Sequence, residues 1–352
     1  GEFREVIGQP RQPGAEITHR EKNLAFALQE SFERTMLHML NYLYDKTKLD
    51  TISIVGGCVY NCVTNGIVLD RTNFKHLLVQ PAAGDAGTSI GAALYDYNKF
   101  FELKQKVVQT DTYLGPEFSN DEIESEIKKA DQEFENLTNP SETAAGLLEN
   151  GKIIGWFQGR MEFGPRALGC RSILGDARSI TMQKNLNLKV KYRESFRPFA
   201  PSVIREDLPD WFEMNCDSPY MLLVSNVGSN KRRSMTKDEK ALFGIDKLNV
   251  KRSEIPAVTH VDYSARIQTV HKETNSKYYK LLSEFKKKTG CPVLVNTSFN
   301  VRGEPIVNTP EDAFNCFMGT ELDILAIGNC YLNKESQNKS LKKDYKINFE
   351  SD

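Results

Sequence analysis

Four short apolar runs set the frame of this chain. Thr51–Val55, Leu77–Gln80, Ile153–Phe157 and Pro292–Asn296 are each followed within four residues by glycine or short polar residues. Runs of four or five residues are too short for helices, and β-branched side chains favour extended backbone. Helical patterns lie between them. Leu24, Phe26, Leu28, Phe32, Met36, Leu37, Leu40 and Leu43 recur at helical spacing and predict one long amphipathic helix over Glu21–Lys46. Further helices are expected at 58–69, 87–97, 121–135, Ser141–Asn150, Tyr278–Thr289 and Pro310–Met318. Strand, small-residue turn and helix in succession give an α/β class. At 352 residues the length favours two units. They are expected at 1–105 and 119–335, with a weakly periodic linker at 106–118 and a polar tail at 336–352.

Charge narrows the partners. The net charge is −1 with 26% charged residues, so the basic excess of a nucleic-acid surface is absent. No apolar run reaches the roughly 20 residues of a membrane span, and the first residues lack a signal-peptide pattern. Seven scattered cysteines with no CxxC pair read as free thiols in a reducing cytoplasm.

The run Ile153–Phe157 delivers the chain into GRMEFGPRALGCRS at 159–172. Arg160, Arg166 and Arg171 stand there among Gly159, Gly164 and Gly169, with Glu162 as the single acid. Guanidinium forks match phosphate and carboxylate geometry, and glycine lets backbone approach an anion. With Lys189, Lys191, Arg193 and Arg197 this forms a candidate oxyanion pocket; the alternative is a set of surface charges. The run Pro292–Asn296 leads into Asn296-Thr297-Ser298-Phe299-Asn300 and then Arg302. These short hydroxyl and amide groups suit phosphate or ribose contacts, or ordinary turns and caps. Gly56 and Gly57 follow the first run and can aim N–H groups at a ligand. Asn61 and Asn65 lie one helical turn apart, facing the same cleft or solvent. Asp85, in the second glycine-rich turn, is a helix cap or a cation ligand. In THVDYSARIQTV at 259–270, His260 and Asp262 share a face if the segment is a strand, and Arg266 adds a cation.

Taken together, GWFQGRMEFGPRALGCRSILGDAR, KYRESFRPFAPSV, PAVTHVDYSARIQTV and PVLVNTSFNVRGEPIVNTPEDAFNCF closely resemble the C-terminal domain of the NodU/CmcH O-carbamoyltransferases. Upstream, IVGGCVYNCVTNG and QPAAGDAGTSIGAAL resemble the second half of that family's actin/hexokinase-like (ASKHA) domain. The resemblance covers about residues 5–335. It implies a partial ASKHA lobe followed by a YrdC-like α/β domain. It also implies a reaction in which carbamoyl phosphate and ATP (with Mg2+) give carbamoyl adenylate and pyrophosphate, before metal-assisted transfer to a hydroxyl of a small acceptor.

On that footing Arg160, Arg166, Arg193, Arg197, Asn296, Thr297 and His260 are expected to be catalytic. Gly56, Gly57, Asn61, Asn65, Arg171, Lys189, Lys191, Ser298, Asn300 and Arg302 are expected to bind substrate or nucleotide, with Asp85 a metal ligand. The family's HxxxH pair, which holds iron or zinc, has no counterpart among His19, His38, His76, His260 and His271. The first actin-like lobe is therefore expected to be absent, as in a fragment or a chain completed by a partner. Two other readings stand beside the enzyme. One is a non-catalytic nucleotide- or partner-binding subunit of the same descent. The other is a tRNA threonylcarbamoyl-type modification protein, which the missing basic stripe disfavours.

Overall fold

The computed structural model describes residues 2–12, 14–102, 108–193, 196–242 and 245–338. The first unit opens with a short helix, α1 (Glu2–Ile7), and a long one, α2 (His19–Thr47). Thr18 and Glu21 form a capping box that starts α2, and Lys48 ends it in the left-handed conformation. The predicted helix is present, but of its apolar stripe Leu40 alone is buried, while Phe26 and Leu28 are exposed. Strands β1 (Thr51–Ile54) and β2 (His76–Val79) pair in parallel. They are joined by α3 (Cys62–Arg71) and followed by α4 (Gly87–Phe100). A small core of Leu40, Ile52, Ile54, Val59, Val68 and Phe74 holds this unit.

The second unit is a nine-stranded mixed sheet in the order β3-β11-β10-β4-β5-β9-β6-β8-β7. Its strands are β3 (Glu135–Asn136), β4 (Ile154–Phe157), β5 (Arg171–Asp176), β6 (Ala200–Ile204), β7 (Leu223–Asn226), β8 (Ser264–Val270), β9 (Val293–Ser298), β10 (Ile324–Ile327) and β11 (Cys330–Asn333). Helices α5 (Asn120–Lys129), α6 (Pro140–Glu149), α7 (Ser276–Thr289) and α8 (Pro310–Gly319) complete it; shorter helical turns are left unnumbered. Strands β4, β5 and β6 are buried at every position, and in β5 this burial takes in Arg171, Ser172 and Asp176 as well as Ile173 and Leu174. α6 and α7 pack against one another across one face. The mixed α/β class agrees with the sequence.

The helix expected at 121–135 ends at Lys129, and Glu135 opens β3. His260 and Asp262 do not alternate along a strand. They sit in a turn before β8, closed by the Tyr263 N–H donating to the His260 carbonyl at 3.1 Å. Part of the expected linker and most of the polar tail (103–107 and 339–352) lie outside the described residues. All seven cysteines are free. No helix among the described residues is long and apolar enough to cross a membrane.

Candidate functional site

The site is assembled where β9 ends. Along β9, Asn296 pairs with Leu174 of β5 on one side and Ala200 of β6 on the other, and Ser298 pairs with Ser172. The arginine-rich segment crosses this end because a buried carboxylate folds it. Glu162 is 2% exposed, and one of its oxygens accepts the backbone N–H groups of Leu168, Cys170 and Arg171. Gly164 and Gly169 both have positive φ (136° and 102°), and a Cβ at Gly169 would collide with the Tyr278 ring.

The three arginines of this segment do different work. Arg171 is fully buried. Its guanidinium donates to the carbonyls of Gln158, Gly159, Cys170 and Pro116, 3.0–3.2 Å away, and stacks 3.5 Å from the centre of the Phe157 ring. Burial pulls its pKa down to about 10, with Glu162 opposing. Arg160 is exposed and donates to the Leu114 carbonyl at 3.1 Å. Arg166 lines a cavity.

That cavity measures about 390 Å³ and is walled by Arg166, Arg193, Arg197 and Arg266, with His260 and the Asn296–Ser298 end of β9. Cys62 and Val63, the first two residues of α3, also line it, so it lies between the two units. Burial pulls Arg166 down to about 10, and repulsion from Arg266 adds to this. The opposing groups are Cys62 and Tyr60 rather than a carboxylate. Arg266 is lowered by burial too, and a hydrogen bond with Cys62 offsets part of it. The Nε of Arg166 is buried without a hydrogen-bond partner among the described residues. Arg193 Nε donates to Asn187 Oδ1 at 2.7 Å, and its guanidinium lies 5.0 Å from the Phe199 ring centre.

Asn296 is 1% exposed. Its Nδ2 donates to Ala167 O at 3.1 Å and Gln268 Oε1 at 2.8 Å. Both partners accept, so the amide orientation is fixed, and Oδ1 is left buried without a donor. The site thus presents several cations, and Asn296 Oδ1 stands closed to solvent beside them without a donor. Anions bearing an N–H group match both needs.

Other residues singled out from the sequence sit behind or beyond this cavity. Lys191 is 3% exposed, and its Nζ reaches four acceptors: Ser298 O and Oγ, and Asn300 O and Oδ1. It clamps the turn from behind, and burial pulls its pKa down to about 7. Asn300 Nδ2 donates to Glu304 O at 2.7 Å within the same turn, which also carries Arg302. Lys189 lies on the surface, 3.9 Å from Glu321. Asn61 caps α3 through the Thr64 N–H and exchanges amide hydrogen bonds with Gln29 of α2. Asn65 is buried, donating to Val59 O at 2.7 Å and Leu222 O at 3.0 Å. Gly56 and Gly57 do not line the cavity, and Asp85 is exposed in its turn. Among the described residues no group of three His, Cys, Asp or Glu stands ready for a metal, so Asp85 has no companion ligands. Cys62, Val63 and the placement of Arg266 were missed from the sequence, because a cavity shared between units leaves no local motif.

Residues 145–334 match the family model described as Carbamoyltransferase C-terminus, and residues 2–94 match Carbamoyltransferase N-terminus. The chain belongs to the carbamoyltransferase family. The N-terminal match places an N-terminal family domain in this chain, where the sequence reading expected the first lobe to be missing. Among relatives of this carbamoyltransferase chain is an uncharacterized protein of Synechocystis sp., 50% identical over 95% of this chain and 56% of its own length. The nodulation protein NolNO of Sinorhizobium fredii is 39% identical over 93% of this chain and 46% of its own. The 3'-hydroxymethylcephem-O-carbamoyltransferase of Amycolatopsis lactamdurans is 33% identical over 74% and 44%. The chain spans about half the length of the curated relatives it matches. Solved HypF in a phosphate- and nucleotide-bound form aligns with 58% of the chain and 22% of its own length, at a TM-score of 0.33 and 15% identity. That is too distant a likeness to carry a conclusion.

Proposed function

We propose that this chain activates carbamoyl phosphate with ATP as carbamoyl adenylate, for transfer to a hydroxyl of a small-molecule acceptor. The observation that carries this reading is the pairing of clustered arginines with the donorless Asn296 Oδ1 in one cavity. Phosphate groups of both substrates answer the arginines. The carbamoyl NH2 answers the amide oxygen, which a plain phosphate would leave unmet. Arg166, Arg193, Arg197 and Arg266 hold phosphate oxygens, while Thr297 and Ser298 position the reacting centre. Lys191 and Arg171 keep those groups in place without touching substrate. The wall contributed by α3 helps exclude the water that would hydrolyse a mixed anhydride. Mg2+ arrives with ATP as part of the substrate. The hydroxyl acceptor is inferred from the relatives' names, and seven free thiols fit a reducing cytoplasm.

The test is pyrophosphate release from ATP by the purified full chain on adding carbamoyl phosphate. Release that depends on both substrates is expected, and Arg166→Ala should lower kcat/KM about 10²–10³-fold. No release from the unaltered chain, or an unchanged rate in the variant, overturns the reading.

A further inference from the structure

The atom balance of the proposed activation requires a water. Carbamoyl phosphate and ATP become carbamoyl adenylate and pyrophosphate only if one water enters and one phosphate leaves. A group that takes a proton from that water is therefore needed within the cavity, and its cationic walls are poor bases.

His260 lines the cavity, and the turn that follows it fixes its ring. Its Nδ1 lies 2.8 Å from Ser264 Oγ, and Ser264 Oγ lies 2.7 Å from Asp262 Oδ1. The single hydroxyl proton of Ser264 goes to the carboxylate, the stronger acceptor, so Ser264 Oγ must accept from Nδ1–H. That leaves Nε2 with its lone pair. The geometry depends on a strained residue. Tyr263 has φ 69°, and this bend lets the His260 N–H reach the Ser264 carbonyl at 2.8 Å. The strain is held from outside: Tyr263 OH donates to Arg233 O at 3.1 Å, and Arg252 donates to the carbonyls of Thr259 and His260.

We propose that His260 Nε2 is the general base that activates this water, with Ser264 and Asp262 as positioning residues that set its tautomer. This rests on the proposed function. The water oxygen bonds to the carbamoyl carbon, and the C–O bond to phosphate breaks. His260 takes one water proton and hands it to the departing phosphate; the second is lost as the product ionises to carbamate. The carbamate oxygen then attacks the α-phosphorus of ATP and expels pyrophosphate.

The charges facing the ring agree. Burial lowers the His260 pKa, Asp262 opposes this, and Arg266 and Arg252 add to it, so the free base is the resident form at neutral pH. For Asp262 burial acts upward, but hydrogen bonds from the Ser264 hydroxyl and N–H outweigh it, and the carboxylate stays ionised.

Pyrophosphate release and histidine ¹⁵N spectra of the full chain test this. His260→Gln should lose about 10²–10⁴-fold in kcat with carbamoyl phosphate. It should regain near-normal turnover when ammonium carbamate replaces carbamoyl phosphate, since carbamate bypasses the water step. A folding defect would not be rescued. Asp262→Asn removes the charge that raises the His260 pKa, so the acid limb of its rate profile should move to lower pH. In the unaltered chain the ¹⁵N spectrum should show the Nδ1–H tautomer. The proposal is overturned if His260→Gln keeps its rate, if carbamate fails to rescue it, or if the Nε2–H tautomer is found. No pyrophosphate from the unaltered chain with either carbamoyl source overturns the proposed function, and the base with it. Release with carbamate but not with carbamoyl phosphate overturns the proposed use of carbamoyl phosphate, and the base with it; release with both, undiminished in His260→Gln, overturns the base alone.

Discussion

Two arginines five positions apart, Arg166 in a loop and Arg171 opening β5, have opposite relations to stability. Arg171 satisfies four carbonyls and sits over an aromatic ring beside the buried Glu162, so its charge is part of the fold. Arg166 faces another guanidinium, and burial and that repulsion both act against its charge. Leaving a buried carbonyl without its donor typically costs about 1–3 kcal/mol. Arg171→Met is therefore expected to lower the melting temperature steeply. Arg166→Met should leave stability within about 0.5 kcal/mol of the unaltered chain, or raise it, because it relieves a like-charge contact. Differential scanning calorimetry of both variants checks the contrast, and equal losses would contradict it. Spacing alone could not have told these residues apart. Both are arginines after a glycine-rich turn, and only the path of the loop decides which one turns inward.

At the scale of elements, α3 decides whether the cavity has its second wall. Asn65 ties the helix to the Leu222 carbonyl, and a Cβ on Gly66 would run into the Val224 carbonyl of β7. Backbone cannot yield as a side-chain tip can, so Gly66→Ala must move α3 off β7, at about 1–3 kcal/mol for such overpacking. Cys62 and Val63 move with it. Weaker ATP binding by calorimetry is expected together with the lower stability, whereas Val63→Ala should weaken binding with little change in melting. Strands β1, β2, β4 and β9 and most of the longer helices were legible in the sequence because their apolar runs are short and bounded by small or polar residues, whereas β5, which carries Arg171, Ser172, Gly175 and Asp176, has no such run. Asn61 and Asn65 were misleading for a physical reason. Their amide groups cap and bolt α3, and amides suited to holding a nucleotide are equally suited to holding backbone. The pairing of His260 with Asp262 failed because a left-handed Tyr263 put a turn where alternation suggested a strand.

Across the whole molecule, the two units differ in how much core holds them. The first relies on a small cluster around Leu40, Ile54, Val68 and Phe74 and leaves Phe26, Leu28 and Phe100 exposed. The second encloses a nine-stranded sheet whose central strands are buried throughout. Local opening free energies follow buried contact density. Backbone amides of β1 and β2 should therefore exchange with solvent faster than those of β5, β6 and β9. The cavity joins the units through the first turn of α3, so a ligand held there stabilises the contact between them. At about 100 times its dissociation constant such a ligand contributes about 2.7 kcal/mol. Hydrogen exchange with ATP and carbamoyl phosphate together should show slower exchange in α3 as well as in the 159–172 loop and the 296–300 turn. Protection confined to the second unit would mean that α3 borders the cavity without closing on the ligand. The water-excluding role given to that wall would then be wrong, even with the arginine contacts intact.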